Sequence, residues 1–249
     1  MGIQRITLDA TGTLFRPRRT IGDVYMEHFR ATMPSMGSFL VDDDAAISSK
    51  AFGHAFKKHM EASPNFGAAT ALSAKGWWGR VIVDTFPDEM KRHMLAHPTQ
   101  TETLVDALYA HYARGHAWEV FPDVRPALHA LAKARVPVGV ISNFDDRLET
   151  ILRDLDLLDA LDFVVTSYAH GEMKPRPSIF HVATSTWTCP TDAVLHVGDD
   201  AVNDYAGATA AGFHARLLCR DPTKKEGGAP LPHRIASLLD IVQTLNIKY

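Results

Sequence analysis

The sequence predicts an α/β fold, a doubly wound parallel sheet with an all-helical segment inserted after its first strand. Three observations lead there. From residue 118 onward, short apolar runs alternate with stretches of helical periodicity. The runs lack apolar–polar alternation, so they are buried on both faces, as parallel strands covered by helices are. Between the first apolar run and the others, residues 16–118 carry only helical patterns.

Taken in order, residues 3–8 form the first strand and deliver Asp9 at its carboxyl end. Helical patterns come next over 21–32, 44–62, 75–86, 88–96 and 102–114. The second is entered through Asp42, Asp43 and Asp44, all good N-caps; the last starts at Thr101 and stops at Gly115. Nothing strand-like interrupts them. Helices at 123–135, 146–155, 177–186 and 203–211 then precede strands at 136–141, 163–166, 193–197 and 214–218, which makes five core strands. The polar segment 221–232 reads as a surface loop, and an amphipathic helix over 234–245 closes the chain. The expected division is a core domain of 1–15 and 119–249 and a helical cap of 16–118.

Composition excludes several classes. Lys and Arg number 26 against 29 Asp and Glu, a net charge of −3, so no global field draws nucleic acid or anionic membrane. No apolar run approaches the roughly 20 residues needed to span a bilayer. Cys189 and Cys219 are too few for a disulfide framework, which suits a reducing compartment, and the cytoplasm is expected. Oligomeric state is not legible.

In open α/β sheets, ligands bind outside the carboxyl ends of the strands. There the first strand deposits Asp9, Thr11, Gly12 and Thr13, the second Ser142 and Asn143, the third leads to Lys174, and the fourth brings Asp199, Asp200 and Asp204. Carboxylates gathered on one rim repel unless a cation intervenes. An all-oxygen set with few ligands suits Mg²⁺, which keeps several waters and accepts phosphate oxygens. Such a rim fits phosphoryl transfer by a carboxylate nucleophile.

These four motifs, in order at successive strand ends, resemble the haloacid dehalogenase (HAD) superfamily along essentially the whole chain, and hence a Rossmann-like core. The helical insertion after the first motif resembles its C1-type cap. The runs Ile141-Ser142-Asn143-Phe144-Asp145-Asp146-Arg147-Leu148-Glu149 and Pro64-Asn65-Phe66-Gly67, with Trp77-Trp78, are similar to the group called haloacid dehalogenase-like hydrolase domain-containing protein 3. The resemblance implies that Asp9 attacks phosphorus and becomes an aspartyl-phosphate. It implies that Thr13 steadies the loop, and that Ser142 and the amide of Asn143 hold phosphate oxygens. Lys174 would neutralise nucleophile and phosphate, while Asp9, the Thr11 carbonyl and Asp199 bind Mg²⁺. Asp204, or less so Asp200, would bind through water or orient Lys174. A small phosphorylated metabolite is the implied substrate.

One position departs from the pattern. Most phosphatases of the superfamily carry a second Asp two residues after the nucleophile, where it protonates the leaving group and activates water. Here that position is Thr11. A hydroxyl cannot replace a general acid, whose loss costs typically about 10²–10⁴-fold. P-type ATPases place Thr there and keep a persistent phosphoenzyme; haloacid dehalogenases place Tyr there and need no metal. The expectation is a slow phosphatase or phosphotransferase, with a non-catalytic phosphate-binding protein and, behind it, a 2-haloacid dehalogenase as alternatives.

The remaining candidates have plainer readings. Arg16, Arg18 and Arg19 fit a solvated hinge better than a basic lip for an anionic substrate. Trp77 and Trp78 pin the cap more readily than they line a pocket, although Phe66, Trp77 and Arg18 remain candidate pocket residues. His93 and His97 have metal-ligand spacing but no third ligand. Cys219 is a buried small residue, and the other histidines receive no role.

Overall fold

A computed structural model of the chain describes residues 2–34, 49–70, 72–221 and 229–245. It forms two compact units, Met1–Arg16 with Glu119–Tyr249, and Pro17–Trp118.

The first unit is built on a parallel sheet. Its strands are β1 (Arg5–Leu8), β4 (Val138–Ser142), β5 (Phe163–Thr166), β6 (Val194–Gly198), β7 (His214–Leu218) and β8 (Arg234–Ile235), in the order β5-β4-β1-β6-β7-β8. β2 (Phe15–Pro17) and β3 (Trp118–Val120) form a separate two-stranded sheet. β4 and β6 are buried at every position, which matches their unbroken apolar runs. The chain moves outward from β1 through β4 to β5, then returns to the other side of β1 at β6. The reversal puts the ligand crevice beside the carboxyl ends of β1 and β6. Leu8 is in register with Val140 and with Val197, so Asp9, Ser142 and Asp199 all leave the sheet at one rim.

Helices α6 (Val124–Lys133), α7 (Leu148–Asp154), α8 (Ser167–His170), α9 (Pro177–Trp187), α10 (Gly207–Ala210) and α11 (Leu239–Thr244) belong to this unit. Behind the rim, Ile179, Phe180 and Ala183 of α9 pack with Ile141, Val194, Ala208 and Phe213 in one apolar cluster.

The second unit is helical: α1 (Ile21–Thr32), α2 (Ser49–Ala62), α3 (Ala74–Thr85), α4 (Asp88–Ala96) and α5 (Pro98–His111). Thr20 and Ser73 cap α1 and α3 through their side chains. Tyr25, Phe29, Phe86, Met94, Leu104 and Leu108 lie at the centre of its main core. Trp77 is fully buried, its ring nitrogen donating to the Ser63 carbonyl at 2.9 Å, and it meets Phe56, Phe66 and Trp78 edge-on. Both tryptophans therefore sit in the packing of this unit. Asn65, Phe66 and Gly67 all have positive φ, a left-handed run that is costly for an aromatic residue.

Several expectations need correction. The core sheet has six strands among the described residues, not five. The start of the expected 234–245 helix is β8, whose Ile235 carbonyl accepts from the Cys219 amide at 2.7 Å. Its helical part shortens to α11 because Asp240 accepts from the Ala236 and Ser237 amides, a turn that ends the strand. Strand pairing also comes directly after the nucleophile loop, in β2, where none was expected. α5 begins at Pro98 rather than 102, because proline suits the first helical position; the Thr101 hydroxyl instead donates to the Met94 carbonyl at 2.6 Å. The expected 203–211 helix starts as a π-helical turn, Ala201–Ala206, capped by Asp200. Cys219 is half-buried rather than buried. The expected caps Asp42, Asp43 and Asp44, and residues 222–228 of the expected loop, lie outside the described residues.

Candidate active site

Asp9 stands just past β1, its amide donating to the Val197 carbonyl of β6 at 2.9 Å. Lys174 comes from the loop after α8, and its ammonium is inserted into the rim. Nζ donates to Asp9 Oδ1 at 2.6 Å, to Asp204 Oδ1 at 2.5 Å and to the Ile141 carbonyl at 2.8 Å. All three donor directions of the ammonium are used, and the residue is 3% exposed. The Lys174–Pro175 peptide is cis. Asn143 fixes the lysine backbone: Nδ2 donates to the Lys174 carbonyl at 3.0 Å, and Oδ1 accepts from its amide at 2.8 Å. The Asn143 side chain is thus committed to Lys174, which leaves its backbone amide as the group to face an anion. Ser142, 2% exposed at the end of β4, adds a hydroxyl that favours the Asp9 carboxylate.

Oxygens of Asp9, Asp199 and Asp204 lie within 4.8 Å of one another. Their environments differ. Burial holds the Asp9 carboxyl above its usual range against the pull of Lys174. Burial would raise Asp204 as well, but Lys174 and His196 hold it far below the ordinary value. For Lys174, the Asp204 and Asp9 carboxylates outweigh burial and raise the ammonium. Asp199 is pushed up to about 7 by burial and by the charges of Asp9 and Asp204. Three carboxylates face one ammonium, and the ammonium is spent on two of them.

Asp204 accepts three hydrogen bonds. Oδ1 accepts from Lys174 and from His196 Nε2 at 3.2 Å, and Oδ2 accepts from the Asp200 amide at 3.0 Å. Its contacts are those of a group that orients Lys174. Asp200 turns away and accepts from the Val202 and Asn203 amides at the start of the π-helical turn. Gly12 is required twice: its φ is +82°, and a Cβ there would run into the Asp199 carboxylate. The Thr11 side chain is exposed. Thr13 is fully buried with no partner for its hydroxyl, so the expected steadying of the loop runs through its carbonyl, which accepts from Arg220 Nη2 at 2.7 Å.

A divalent cation fits this donor set. Asp9 and Asp199 offer hard oxygens close together, Asp199 forms no ion pair with a protein cation among the described residues, and the Gly12 backbone lies directly against Asp199.

Sequence reasoning missed three supports. His196, fully buried on β6, accepts at Nδ1 from the Thr7 hydroxyl at 2.9 Å and donates from Nε2 to Asp204; burial lowers its pKa and keeps it neutral. A histidine inside an otherwise apolar strand, two residues before Gly198, was the available signal. Arg147 forms a bidentate pair with the fully buried Asp145, at 2.9 and 2.6 Å, just after Asn143. Arg220 and Asp123 are the third.

The remaining candidates lie outside this constellation. Arg16 pairs with Glu119 at 2.9 Å and Arg19 with Glu27 at 2.5 Å, while Arg18 donates to the Trp118 carbonyl at 3.1 Å. His97 Nδ1 lies 2.9 Å from the His93 carbonyl, a bond along the chain rather than a ligand geometry.

The profile of the haloacid dehalogenase-like hydrolases matches residues 3–212. A haloacid dehalogenase-like hydrolase domain-containing protein 3 from Xenopus laevis is 32% identical over 246 residues, 98% of this chain and 96% of that protein. Two solved structures share the fold. A dehalogenase with an intermediate complex has a TM-score of 0.69 at 21% identity, covering 100% of this chain and 99% of its own. The HAD hydrolase YfnB from Bacillus subtilis bound to magnesium has a TM-score of 0.67 at 14% identity, covering 99% and 100%. A match over most of the length, together with a full-length relative at this identity, places the chain in the family: it is a haloacid dehalogenase-like hydrolase.

Proposed function

We propose that this hydrolase is a Mg²⁺-dependent phosphatase or phosphotransferase that acts on a small phosphorylated metabolite through an aspartyl-phosphate on Asp9. The observation that carries the reading is the Lys174 ammonium shared by Asp9 and Asp204 while Asp199, close by, has no ion pair among the described residues. A carbon-ester intermediate of a dehalogenase has no use for that surplus of carboxylates.

Asp9, Asp199 and the Thr11 carbonyl would hold the cation. When bound, Mg²⁺ supplies charge neutralisation for the phosphate and the carboxylates. A carboxylate oxygen of Asp9 attacks phosphorus, the bond from phosphorus to the leaving oxygen breaks, and an acyl-phosphate forms. Ser142 and the Asn143 amide face the equatorial oxygens as charge develops there, while Lys174, its three N–H groups taken, supplies its positive charge beside Asp9. Water then releases inorganic phosphate and restores the Asp9 carboxylate. No carboxyl group stands at position 11 to protonate the leaving oxygen or deprotonate that water, so both steps draw on solvent and turnover is slow. We place this activity in the cytoplasm, with neither nucleic acid nor membrane as partner; among the described residues no helix is long and apolar enough to cross a membrane.

The test is incubation with Mg²⁺ and a small phosphate donor, and then mass spectrometry of the peptide containing Asp9. A hydroxylamine-sensitive phosphoryl group is expected on Asp9, absent in Asp9→Asn. Full turnover by Asp9→Asn overturns the reading. Thr11 favours one second reading, a phosphate-binding regulatory protein without turnover. Activity that arises only in Thr11→Asp would select it.

A further inference from the structure

Two stretches of chain distant in sequence meet at the guanidinium of Arg220, just past the carboxyl end of β7, and a third reaches it through Asp123. Nη2 donates to the Thr13 carbonyl at 2.7 Å, Nε to the Gly12 carbonyl at 3.3 Å and Nη1 to Asp123 Oδ1 at 2.8 Å. The plane lies over the Phe121 ring, 4.0 Å from its centroid. The other oxygen of Asp123 accepts from the Ser237 hydroxyl at 2.9 Å and the Leu238 amide at 2.7 Å. The Arg220 side chain is 19% exposed and that of Asp123 10%.

Gly12 and Thr13 belong to the nucleophile loop. Gly12 is pressed against Asp199 on one side, with no room for a Cβ. On the other side its carbonyl, and that of Thr13, are held by Arg220. The loop cannot be held by the Thr13 hydroxyl, which has no partner. Thr11, whose carbonyl is the backbone ligand proposed for the cation, is joined directly to the Gly12 peptide unit.

We propose that Arg220 is a positioning residue that sets the orientation of the Gly12 and Thr13 peptides, and through them the Thr11 carbonyl relative to Asp9 and Asp199. It rests on the reading of that rim as a Mg²⁺ site. Asp123 supports it by fixing the guanidinium from behind. Only a planar fork with several donors satisfies two carbonyls and a carboxylate at once while stacking on a ring; an ammonium on a flexible stem does not.

The test uses the full chain with Arg220→Lys, which keeps the charge, and Arg220→Met, which keeps the stem. Thermal melting, calorimetric titration with Mg²⁺ and hydrogen exchange are read together. The amides of Gly12, Thr13 and Leu14, bonded to Phe15 and Ala10 carbonyls, report the loop. Mg²⁺ affinity is expected to fall about tenfold or more in Arg220→Lys, with loop amides exchanging faster by a similar factor and the β4 and β6 amides unchanged. Unchanged affinity and unchanged loop exchange overturn the proposal, as does faster exchange throughout the unit. If the wild-type chain takes up no Mg²⁺, the metal reading fails on its own, and loop exchange alone decides Arg220: locally faster retains its positioning role, unchanged removes it.

Discussion

Asp199→Asn is expected to stabilise the metal-free protein while destroying its metal site. The Asp199 carboxyl is raised from 3.8 to about 7 because burial disfavours its charged form and because ionising it places a third negative charge beside Asp9 and Asp204. That difference corresponds to about 4 kcal/mol of strain in the folded state. Solvent reaching the group cuts the recoverable part to about 2 kcal/mol, a Tm gain of roughly 4–8 °C for a chain of this size. Below about pH 4 the side chain is protonated in both the folded and unfolded states, and the wild-type protein carries no penalty. Between pH 4 and 7 the unfolded chain loses this proton and the folded chain keeps it, so wild-type stability falls as pH rises; above 7 the penalty is complete. The Asn variant escapes this. Melting both proteins in chelator at pH 8 and near pH 4 should therefore show a gain at the higher pH that vanishes at the lower, and added Mg²⁺ should raise the melting point of the wild type alone. A variant less stable than wild type at pH 8 would mean that Asp199 is not strained by its neighbours, and the electrostatic basis of the cation site would go with it.

The same rim dictates three further outcomes. Since the cation competes with a proton that leaves Asp199 at about 7, Mg²⁺ affinity measured by calorimetry should be about tenfold weaker at pH 6 than at pH 8, and flat affinity across that range would count against the ligand set. Lys174→Met strands Asp9 and Asp204 without their shared cation and should cost about 3–5 kcal/mol in chemical denaturation, together with loss of the Asp9 phosphoryl group. Thr11→Asp should raise phosphatase turnover by about 10²–10⁴-fold in a phosphate-ester screen, and a neutral result would mean that the missing carboxylate is not what limits the rate.

Much of the fold and of the site is legible in the sequence because it rests on local signals. Unbroken apolar runs mark β4 and β6, and the strand ends bring Asp9, Ser142 and Asp199 to one rim, which Lys174 reaches from the loop after α8. The first helix, 21–32, matches α1, because Thr20 and the apolar spacing are both local. Features made by distant partners are not legible. β8 is two residues long, and only its pairing with β7 makes it a strand. Nothing near Arg220 indicates that it reaches Thr13, 207 positions away. His196 stands out in its apolar strand, but its role is set only when Thr7 and Asp204 close on its two nitrogens. Thr13 misleads in the other direction: its hydroxyl suggests a loop-holding bond, and its carbonyl makes the bond instead.

The pair of hydrogen bonds between the Asn143 side chain and the Lys174 backbone bears on how such a protein can change. The amide engages the N–H and C=O of one residue much as a neighbouring strand would, so the two are locked in register whatever lies between them. A single change at position 143 would therefore misdirect the lysine with every other motif intact.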